Sequence, residues 1–278
     1  MHSNVNEADN FDGVGISLKI QYVDFSTCEG VQKVVVHVYD DESGRTYQNH
    51  PNARYLFPND PEEQDRADLQ HKIFRMYNGG AIYQAPVGTQ RTVLEIEVAT
   101  GTDIWAIQYA VEHPESKVTG TDVSRIQPSS APENCSFIKE ESEHDECIFH
   151  DPFGFIFMKM VGYCFNNFPA VVRKCFNSLE PGGRGYLELS DSTSKLICDD
   201  GFVDVVEQVG LLPGDPWPED PNLKELGKWQ MTKMYRGIRG FSFKLLRALG
   251  MTPQKVDECV SAAGDDVRDT RIHFPRPI

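Results

Sequence analysis

The chain has 278 residues, of which 40% are hydrophobic and 25% are charged. These values are typical of a globular protein and exclude collagen-like, coiled-coil and wholly disordered chains. Lysine and arginine total 27 against 42 aspartates and glutamates, which gives a formal net charge of −15. Because so acidic a surface repels phosphate backbones, we expect no nucleic acid partner.

The basic residues, apolar runs and cysteines argue against a nucleic-acid-binding patch, a membrane span and a disulfide or metal framework. The one cluster of basic residues recurs along a predicted helix and is typical of a solvated helix face; its members are Lys228, Lys233, Arg236, Arg239, Lys244 and Arg247. No apolar run approaches the roughly 20 residues of a membrane span, and the first residues do not resemble a signal peptide. Seven cysteines occur without a C-x-x-C pair, which is typical of reduced thiols. We therefore expect a cytoplasmic protein without membrane or metal partners.

Two strand-like runs, at 17–22 and 34–39, come first along the chain, and residues 26–30 between them can form a turn. We therefore predict an N-terminal β-hairpin within an extension over residues 1–43. A lone hairpin is marginally stable in water. We expect this one to pack on the main body of the chain or on a second copy in a homodimer.

Helix and strand signals alternate through the rest of the chain. Asn59 and Asp60 predict a cap for a helix that starts at Pro61, carries an apolar stripe through Leu69 and Ile73, and ends at 79–80. Strands are predicted at 91–98, 118–122, 136–139, 154–158 and 185–189, with helices at 104–112 and 170–179 and two more over 222–263. This alternation predicts an α/β domain over 44–278, with a doubly wound, mostly parallel sheet, helices on both faces and helices at its C-terminal end.

The turn after the first of these strands is the first candidate site. It contains Gly101 and Asp103 and leads directly into a helix. In doubly wound folds, ligands bind beyond the carboxyl ends of the strands, against this turn. Asp122 ends the next strand about 20 residues later, where an acid can bind a ribose hydroxyl. These residues fit a tight turn followed by a helix cap equally well.

Longer stretches resemble the class I S-adenosylmethionine (SAM)-dependent methyltransferases, specifically the fungal LaeA-like family of regulators and tailoring enzymes of secondary metabolism. The similar stretches are GRTY (44–47), YLFPND (55–60), DLQH (68–71), TGTDIWAI (100–107), GTDVSRIQP (120–128), LEPGG (179–183), PWPEDP (216–221) and GFS (240–242). They extend from 44 to about 275, in an order that chance does not explain. The resemblance implies a Rossmann-like fold and a SAM pocket.

The resemblance also assigns residues to that pocket. It implies a turn that cradles the methionine part of SAM, an acid with its following residue at the ribose, and an acidic pair at the adenine edge; these are Glu97, Ala99, Gly101 and Asp103, then Asp122 and Val123, then Glu140 and Glu141. The family's turn has three alternate glycines, and two of them are replaced here, at 99 and 103. A Cβ at 99 fills space close to the ligand. The Asp103 carboxylate either takes the place of the SAM carboxylate at the helix end or only caps the helix, so SAM binding is in doubt.

The substrate side departs from the family as well. After Asp191, family members usually carry several tens of residues that help to form the cap over the acceptor, whereas here 192–200 lead directly into 201–205. At the other end, Pro275 and Pro277 discourage a last strand within the central sheet.

Catalytic and substrate-binding candidates follow from position and chemistry. His71 is either a general base near neutral pH or a packing histidine, and Lys159 either orients an anionic substrate or is a surface lysine. Glu188 lies at the carboxyl end of a core strand, where pocket residues accumulate. The candidates for the substrate pocket are Gln70, Tyr163, Phe165, Asn166 and Asp191.

Three functions are compatible with these residues. The first is an enzyme of secondary metabolism that cyclises, rearranges or isomerises a hydrophobic small molecule without SAM-dependent methylation. The second is a SAM-dependent small-molecule methyltransferase acting on oxygen, nitrogen or carbon. The third is a LaeA-like regulatory interaction module without enzymatic activity, which would place the protein in the nucleus.

Overall fold

The computed structural model describes residues 38–40, 42–48, 55–96, 103–124, 126–128, 130–139, 142–143, 152–159, 164–188 and 194–277. Its strands are β1 (Val38–Asp40), β2 (Arg45–Tyr47), β3 (Thr92–Ile96), β4 (Lys117–Asp122), β5 (Cys135–Lys139), β6 (Phe153–Lys159), β7 (Leu179–Glu188), β8 (Leu211–Pro213) and β9 (Pro275–Pro277). Its helices are α1 (Pro61–Tyr77), α2 (Ile104–Glu112), α3 (Phe168–Ser178), α4 (Ser194–Asp199), α5 (Pro221–Ala248) and α6 (Pro253–Arg268).

The central sheet contains five parallel strands in the order β5-β4-β3-β6-β7. The chain builds outward from β3 in one direction and then crosses back to continue from β6 in the other, so the strand order reverses between β3 and β6. This topology confirms the predicted doubly wound, parallel sheet. Helix α2 has the predicted bounds.

The predicted end of α3 is wrong by one residue, and β7 is longer than predicted. Leu179 is the first residue of β7 and pairs with Phe153, whereas the next pair joins Arg184 to Phe155. The intervening residues of β7 form a bulge, in which Gly182 has a φ of 83°. Pro181 and the two glycines after it lie within this bulge.

Strand β6 is buried on both faces. Its Ile156 and Met158 pack in one hydrophobic cluster together with Leu94 and Ile96 of β3. The alternate residues Phe155 and Phe157 belong to a second cluster, on the side of α2. The Trp105 ring of α2 stacks on Phe157 with 3.8 Å between ring centroids. Burial on both faces explains why this strand is apolar throughout rather than alternating.

Helices α1 and α5 pack against each other in an antiparallel pair. The N-terminus of α1 is capped as predicted, because the Asp60 carboxylate accepts the Glu63 N–H at 3.1 Å. Its apolar Leu69 and Ile73 pack with Leu226 of α5 and with neighbouring residues. Helix α6 packs along α5, and residues 249–252 join the two helices.

The prediction of a solvated basic face on α5 is wrong. Lys233 is only 1% exposed and donates to the Gln70 Oε1 of α1 at 2.6 Å. Lys244 lies 3.5 Å from the centroid of the Tyr47 ring. Arg239 donates to the Ser43 carbonyl at 2.7 Å, and Arg247 forms an ion pair with Glu42. Each of these side chains contacts a partner on another part of the chain. A sequence pattern cannot reveal such partners.

Two small antiparallel sheets lie outside the central one. In the first, β1 pairs with β2, with Val38 opposite Tyr47, so the pairing crosses the predicted boundary at 43–44. Residues 17–37 of the predicted hairpin lie outside the described residues, and its role in a homodimer stays a prediction. In the second, β9 pairs with β8, so both prolines avoid the central sheet as predicted. The shortened segment after residue 191 contains α4, which was not predicted.

Within the described ranges, no helix is both long and apolar enough to cross a membrane.

Gly227 allows α5 to approach the segment that follows β8. A Cβ at this position would lie 2.6 Å from the Asp215 carbonyl carbon and closer still to its oxygen. We expect Gly227→Ala to lower the free energy of unfolding by about 3 kcal/mol, because backbone must move to admit the methyl group. Denaturant unfolding measures this loss.

Gly264→Ala on α6 is the matched control. Its Cβ would meet only the Tyr235 ring, at 3.2 Å, and the gain in helix propensity offsets this contact. We expect a change of no more than about 1 kcal/mol. Equal losses in the two variants would contradict the proposed backbone contact.

Candidate functional site

Three candidate residues lie along one edge of the central sheet, at the carboxyl ends of parallel strands. Asp122 ends β4, Lys159 ends β6 and Glu188 ends β7. Lys159 and Glu188 are register partners. The strand order reverses between β3 and β6, and doubly wound folds bind ligands at the carboxyl edge beside such a reversal.

The start of α2 is built around two buried carboxylates. Asp103, the residue before the helix, is fully buried and has a left-handed backbone, with φ 50° and ψ 34°. Its side chain does not cap the helix, so the cap interpretation is wrong. Glu95, in the middle of β3, accepts the Ala106 N–H at 2.9 Å instead. A strand carboxylate thus performs the capping role at the third residue of the helix.

The Asp103 carboxylate points toward β4 and β5. Its Oδ1 lies 3.1 Å from the position that a Cβ at Gly120 would occupy, so the carboxylate fits there because residue 120 has no side chain. Burial raises the pKa of the neighbouring Cys135 thiol to about 12, with smaller contributions from the negative charges of Glu95 and Asp103. The two carboxylates therefore converge on one region beside the start of α2.

Asp122 is fully buried at the end of β4, and its carboxylate binds its own chain. Its Oδ1 accepts the Ser124 N–H at 2.5 Å, and the Ser124 Oγ accepts from Asn59 Nδ2 at 3.1 Å. Asn59 also accepts from the Thr46 hydroxyl at 3.0 Å. These contacts tie β2 and the start of α1 to the end of β4. The predicted neighbour Val123 packs in the hydrophobic core.

His71 is buried between α1 and α2. Its Nε2 lies 3.0 Å from Gln108 Oε1, while Gln108 Nε2 donates to Glu112 at 2.8 Å. The Gln108 oxygen therefore faces the ring, which assigns the imidazole proton to Nε2. Burial and the nearby positive charge of Lys159 lower the pKa of His71 to about 3. A general base that titrates near neutral pH, as predicted, does not fit this environment.

Lys159 lies over an aromatic ring at the sheet edge. Its Nζ is 3.7 Å from the centroid of the Phe74 ring of α1, a cation–π contact. The side chain is half-buried, so the interpretation as an ordinary surface lysine does not describe it. His71, Phe74 and Lys159 form one group between α1 and the end of β6.

The remaining candidates lie in the core, at the surface or outside the described residues. Phe165 is buried in the hydrophobic core, and Asn166 is exposed, with its N–H donated to Glu143 Oε2 at 2.7 Å. Glu188 is placed by its backbone only. Outside the described residues lie Glu97, Ala99, Gly101, Glu140, Glu141, Tyr163 and Asp191.

A family model described as a methyltransferase domain matches residues 47–249, more than half of the chain. The chain belongs to the methyltransferase domain family. The match spans β2 to the end of α5 and agrees with the five parallel strands of the central sheet. The family expectation is therefore confirmed.

Similar curated proteins come from fungi. Methyltransferase pytC of Aspergillus terreus is 27% identical, with 89% of this chain and 88% of pytC covered. The secondary metabolism regulator LAE1 of Cochliobolus heterostrophus is 26% identical, with 73% of this chain and 80% of that protein covered. The regulator laeA of Aspergillus fumigatus is 26% identical over 84% of this chain and 73% of its own length. These relatives confirm the LaeA-like resemblance.

Solved methyltransferases show weaker similarity. The plantazolicin methyltransferase BpumL is 14% identical, with 60% of this chain and 79% of that chain covered and a TM-score of 0.34. An O-methyltransferase family protein from Burkholderia thailandensis is likewise 14% identical, with 45% and 39% covered and a TM-score of 0.34.

Members of the methyltransferase domain family bind SAM, so we ask whether the residues at the start of α2 fit this ligand. SAM carries a carboxylate, and a helix N-terminus is a natural site for it. Here Glu95 already occupies the Ala106 N–H, and the Asp103 carboxylate is buried beside it. A third carboxylate in this region would be repelled by both and would lose its hydration. The described residues at this helix end therefore do not fit the anionic end of SAM.

Glu95, Asn59 and Ser124 belong to this site, although sequence reasoning did not assign them to it. A glutamate inside the otherwise apolar Val93–Ile96 run is the signal for Glu95, because a charge within a buried strand requires a partner. Asn59 was predicted only as a helix cap. Among the described residues, no group of three or more His, Cys, Asp or Glu side chains is arranged to hold a metal ion.

The buried, neutral His71 makes stability depend on pH. Its pKa is about 3 in the fold against an ordinary 6.5. Below pH 6.5 the unfolded chain therefore takes up a proton that the folded chain does not. Stability is then lost as pH falls, by up to about 1.4 kcal/mol per pH unit. Between pH 7 and pH 5 we expect a loss of about 2 kcal/mol from this residue, measured by denaturant unfolding.

His71→Gln removes the titrating group and is the comparison that isolates it, since other groups also titrate over this range. Between pH 7 and pH 5, the free energy of unfolding of this variant should fall by about 2 kcal/mol less than that of the wild-type protein. Nuclear magnetic resonance of the wild-type ring should show no titration between pH 5 and pH 8. A ring that titrates near pH 6.5 would contradict the assigned burial.

Proposed function

We propose that this LaeA-like member of the methyltransferase domain family binds a hydrophobic small molecule of secondary metabolism and cyclises, rearranges or isomerises it without methyl transfer. Such reactions redistribute bonds within one molecule, so they require no co-reactant. The proposal rests above all on one observation, the Asp103 carboxylate buried in a left-handed backbone at the start of α2.

Asp103 is the deciding observation because its backbone conformation is unusual for its residue type. A non-glycine residue in the left-handed region is uncommon and costs free energy. The Asp103 side chain makes no capping hydrogen bond to the start of α2 that would offset this cost. The resemblance places a family glycine at this position, so the chain has replaced a residue suited to a left-handed backbone by one that introduces a charge. Such a replacement is expected where the original ligand is no longer bound.

Lys159 and His71 supply the chemistry that we propose for the site. A lysine at the switch point, fixed over the Phe74 ring, stabilises negative charge that develops on a substrate oxygen such as an enolate. His71 remains neutral and therefore neither competes for that negative charge nor acts as a strong base. Rate enhancement then comes from restricting the substrate's conformation and from charge stabilisation.

A SAM-dependent small-molecule methyltransferase is the second candidate. It is favoured by the family itself and by pytC, a relative that carries the name methyltransferase and matches over most of its length. The LAE1 and laeA relatives are named as regulators, which keeps a non-enzymatic regulatory role as the third candidate. SAM titration separates the second candidate from the first.

Calorimetric titration with SAM and S-adenosylhomocysteine tests the proposal. We expect the wild-type protein to show no binding up to about 1 mM, and Ala99→Gly/Asp103→Gly to bind at least about tenfold more tightly, a gain of about 1.4 kcal/mol. Removing the carboxylate and the Ala99 methyl group restores the glycine turn of the family. Glycine also suits the φ of 50° at residue 103, so the variant should remain folded.

Asp204→Gly is the matched control. Asp204 is the other described non-glycine residue with a positive φ, at 54°, and it is exposed. Its replacement gives the same relief of backbone strain without changing the site, so we expect no gain in SAM binding. Micromolar binding of SAM to the wild-type protein would overturn the proposal and favour the methyltransferase.

A further inference from the structure

The packing of α1 against α5 contains a polar segment for which the proposed reaction has no use. Five buried residues of α5 recur at a spacing of four, three, four and three residues, which places them on one face of the helix: Leu226, Gln230, Lys233, Gly237 and Gly240. Their neighbours on α1 run in the opposite order. Leu226 packs with Leu69 and Ile73, Lys233 binds Gln70, a Cβ at Gly237 would meet Arg66, and one at Gly240 would lie 3.6 Å from Glu63. We call this packing surface the α1–α5 seam.

Two side-chain amides in the seam each have a buried atom without a hydrogen-bond partner among the described residues. Gln230 is 1% exposed, and its Oε1 accepts no hydrogen bond. Gln70 Nε2 is likewise buried and makes no hydrogen bond. Lys233 donates to Gln70 Oε1 at 2.6 Å, and since an ammonium group can only donate, this contact fixes the orientation of the Gln70 amide.

Helical spacing places Gln70 Nε2 and Gln230 Oε1 in the same part of the seam. Gln230 and Lys233 are three residues apart on α5, on one face of the helix. Gln230 therefore lies between Leu226, which packs on Leu69 and Ile73, and Lys233, which binds Gln70. The seam at this level offers one hydrogen-bond donor and one acceptor to a third group. Buried polar atoms are rarely left without a partner.

The surroundings of these atoms are apolar and adjoin the candidate site. The hydrophobic cluster of the seam consists of Leu69, Ile73, Leu212, Leu226 and Trp229. Gln70 immediately precedes His71, whose ring lies beside Lys159 at the end of β6. The two amides therefore lie in apolar surroundings, and Gln70 is the direct neighbour on α1 of a residue of the candidate site.

We propose that Gln70 and Gln230 form a subsite for an amide group of the substrate, in which Gln70 Nε2 donates to the amide oxygen and Gln230 Oε1 accepts the amide N–H. The substrate class is a hydrophobic small molecule that carries a secondary amide or a lactam. This assignment rests on the proposed function for the identity of the ligand as a substrate. The recognition itself depends only on the seam.

A lactam and its ketone analogue test the subsite. 2-Pyrrolidinone presents both an N–H and a carbonyl group, whereas cyclopentanone has nearly the same shape and only the carbonyl. In the full-length protein with labelled glutamine side chains, we expect 2-pyrrolidinone to shift the amide resonances of Gln70 and Gln230. Cyclopentanone should bind at least about tenfold more weakly, because it leaves Gln230 Oε1 without a donor.

Gln230→Met retains the side-chain length and removes the acceptor. We expect this variant to lose the preference for the lactam, while Gln254→Met, at an exposed position of α6, retains it. Lactam and ketone affinities that are equal in the wild-type protein would overturn the proposal, as would a crystal structure, grown with the lactam, that holds only a water molecule between the two amides. The wild-type comparison decides the question even if Gln230→Met does not fold.

The outcome is independent of SAM. If SAM binds at micromolar concentration and the lactam preference is present, the proposed function fails and the amide subsite stands. If neither SAM binding nor the lactam preference is found, the subsite fails and the proposed function stands.

Discussion

The close approach of α1 and α5 is the constraint on which the rest of the structure depends, because α1 carries the residues that reach the sheet edge. Gly237 permits this approach, since a Cβ there would lie 2.7 Å from Arg66 Cδ. Arg66 in turn pairs with Glu63 at 2.8 Å and lies over the Phe241 ring. Burial raises the pKa of Glu63, and the Arg66 charge opposes this shift. A buried ion pair adds little net stability, because both charges lose their hydration. The pair lies within α1, and the contact between the Arg66 guanidinium and the Phe241 ring of α5 connects it to the second helix.

Hydrogen bonds connect the N-terminus of α1 to the end of β4. Asp60 caps α1 and also binds Arg45 of β2 through two hydrogen bonds. Asn59 joins β2 to Ser124, whose N–H is accepted by Asp122. The carboxyl edge of the sheet is thus covered by a segment whose position is set by α1. A shift of α1 by one helical turn relative to the sheet would move His71 and Phe74 away from Lys159 and would separate Asn59 from Ser124. The same shift would break the contact between Gln70 of α1 and Lys233 of α5. The seam and the site are therefore one structural unit.

Local signals in the sequence predicted the elements well and the contacts between them poorly. The Asn59-Asp60-Pro61 run gave the start of α1 because capping is a local interaction, and the alternation of strands and helices gave the parallel sheet because crossovers follow general rules of connection. Lys233 was assigned to a solvated face because the spacing of charges along a helix does not reveal which neighbour covers them. At the site, Asp122 and Glu188 end parallel strands, as predicted. The roles of Glu95 and the neutral His71 depend on distances between separate elements, which no sequence window contains.

Under the proposed function, the two carboxylates at α2 explain how a methyltransferase fold can persist without an anionic ligand. A buried helix N-terminus leaves N–H groups that require acceptors, and in a ligand-dependent site those groups become satisfied only when the ligand binds. Here Glu95 provides an acceptor from within the chain for the Ala106 N–H, so this N–H group requires no ligand. Under the proposed function, residues that no longer accommodate SAM are free to change, and we interpret Asp103 as such a change.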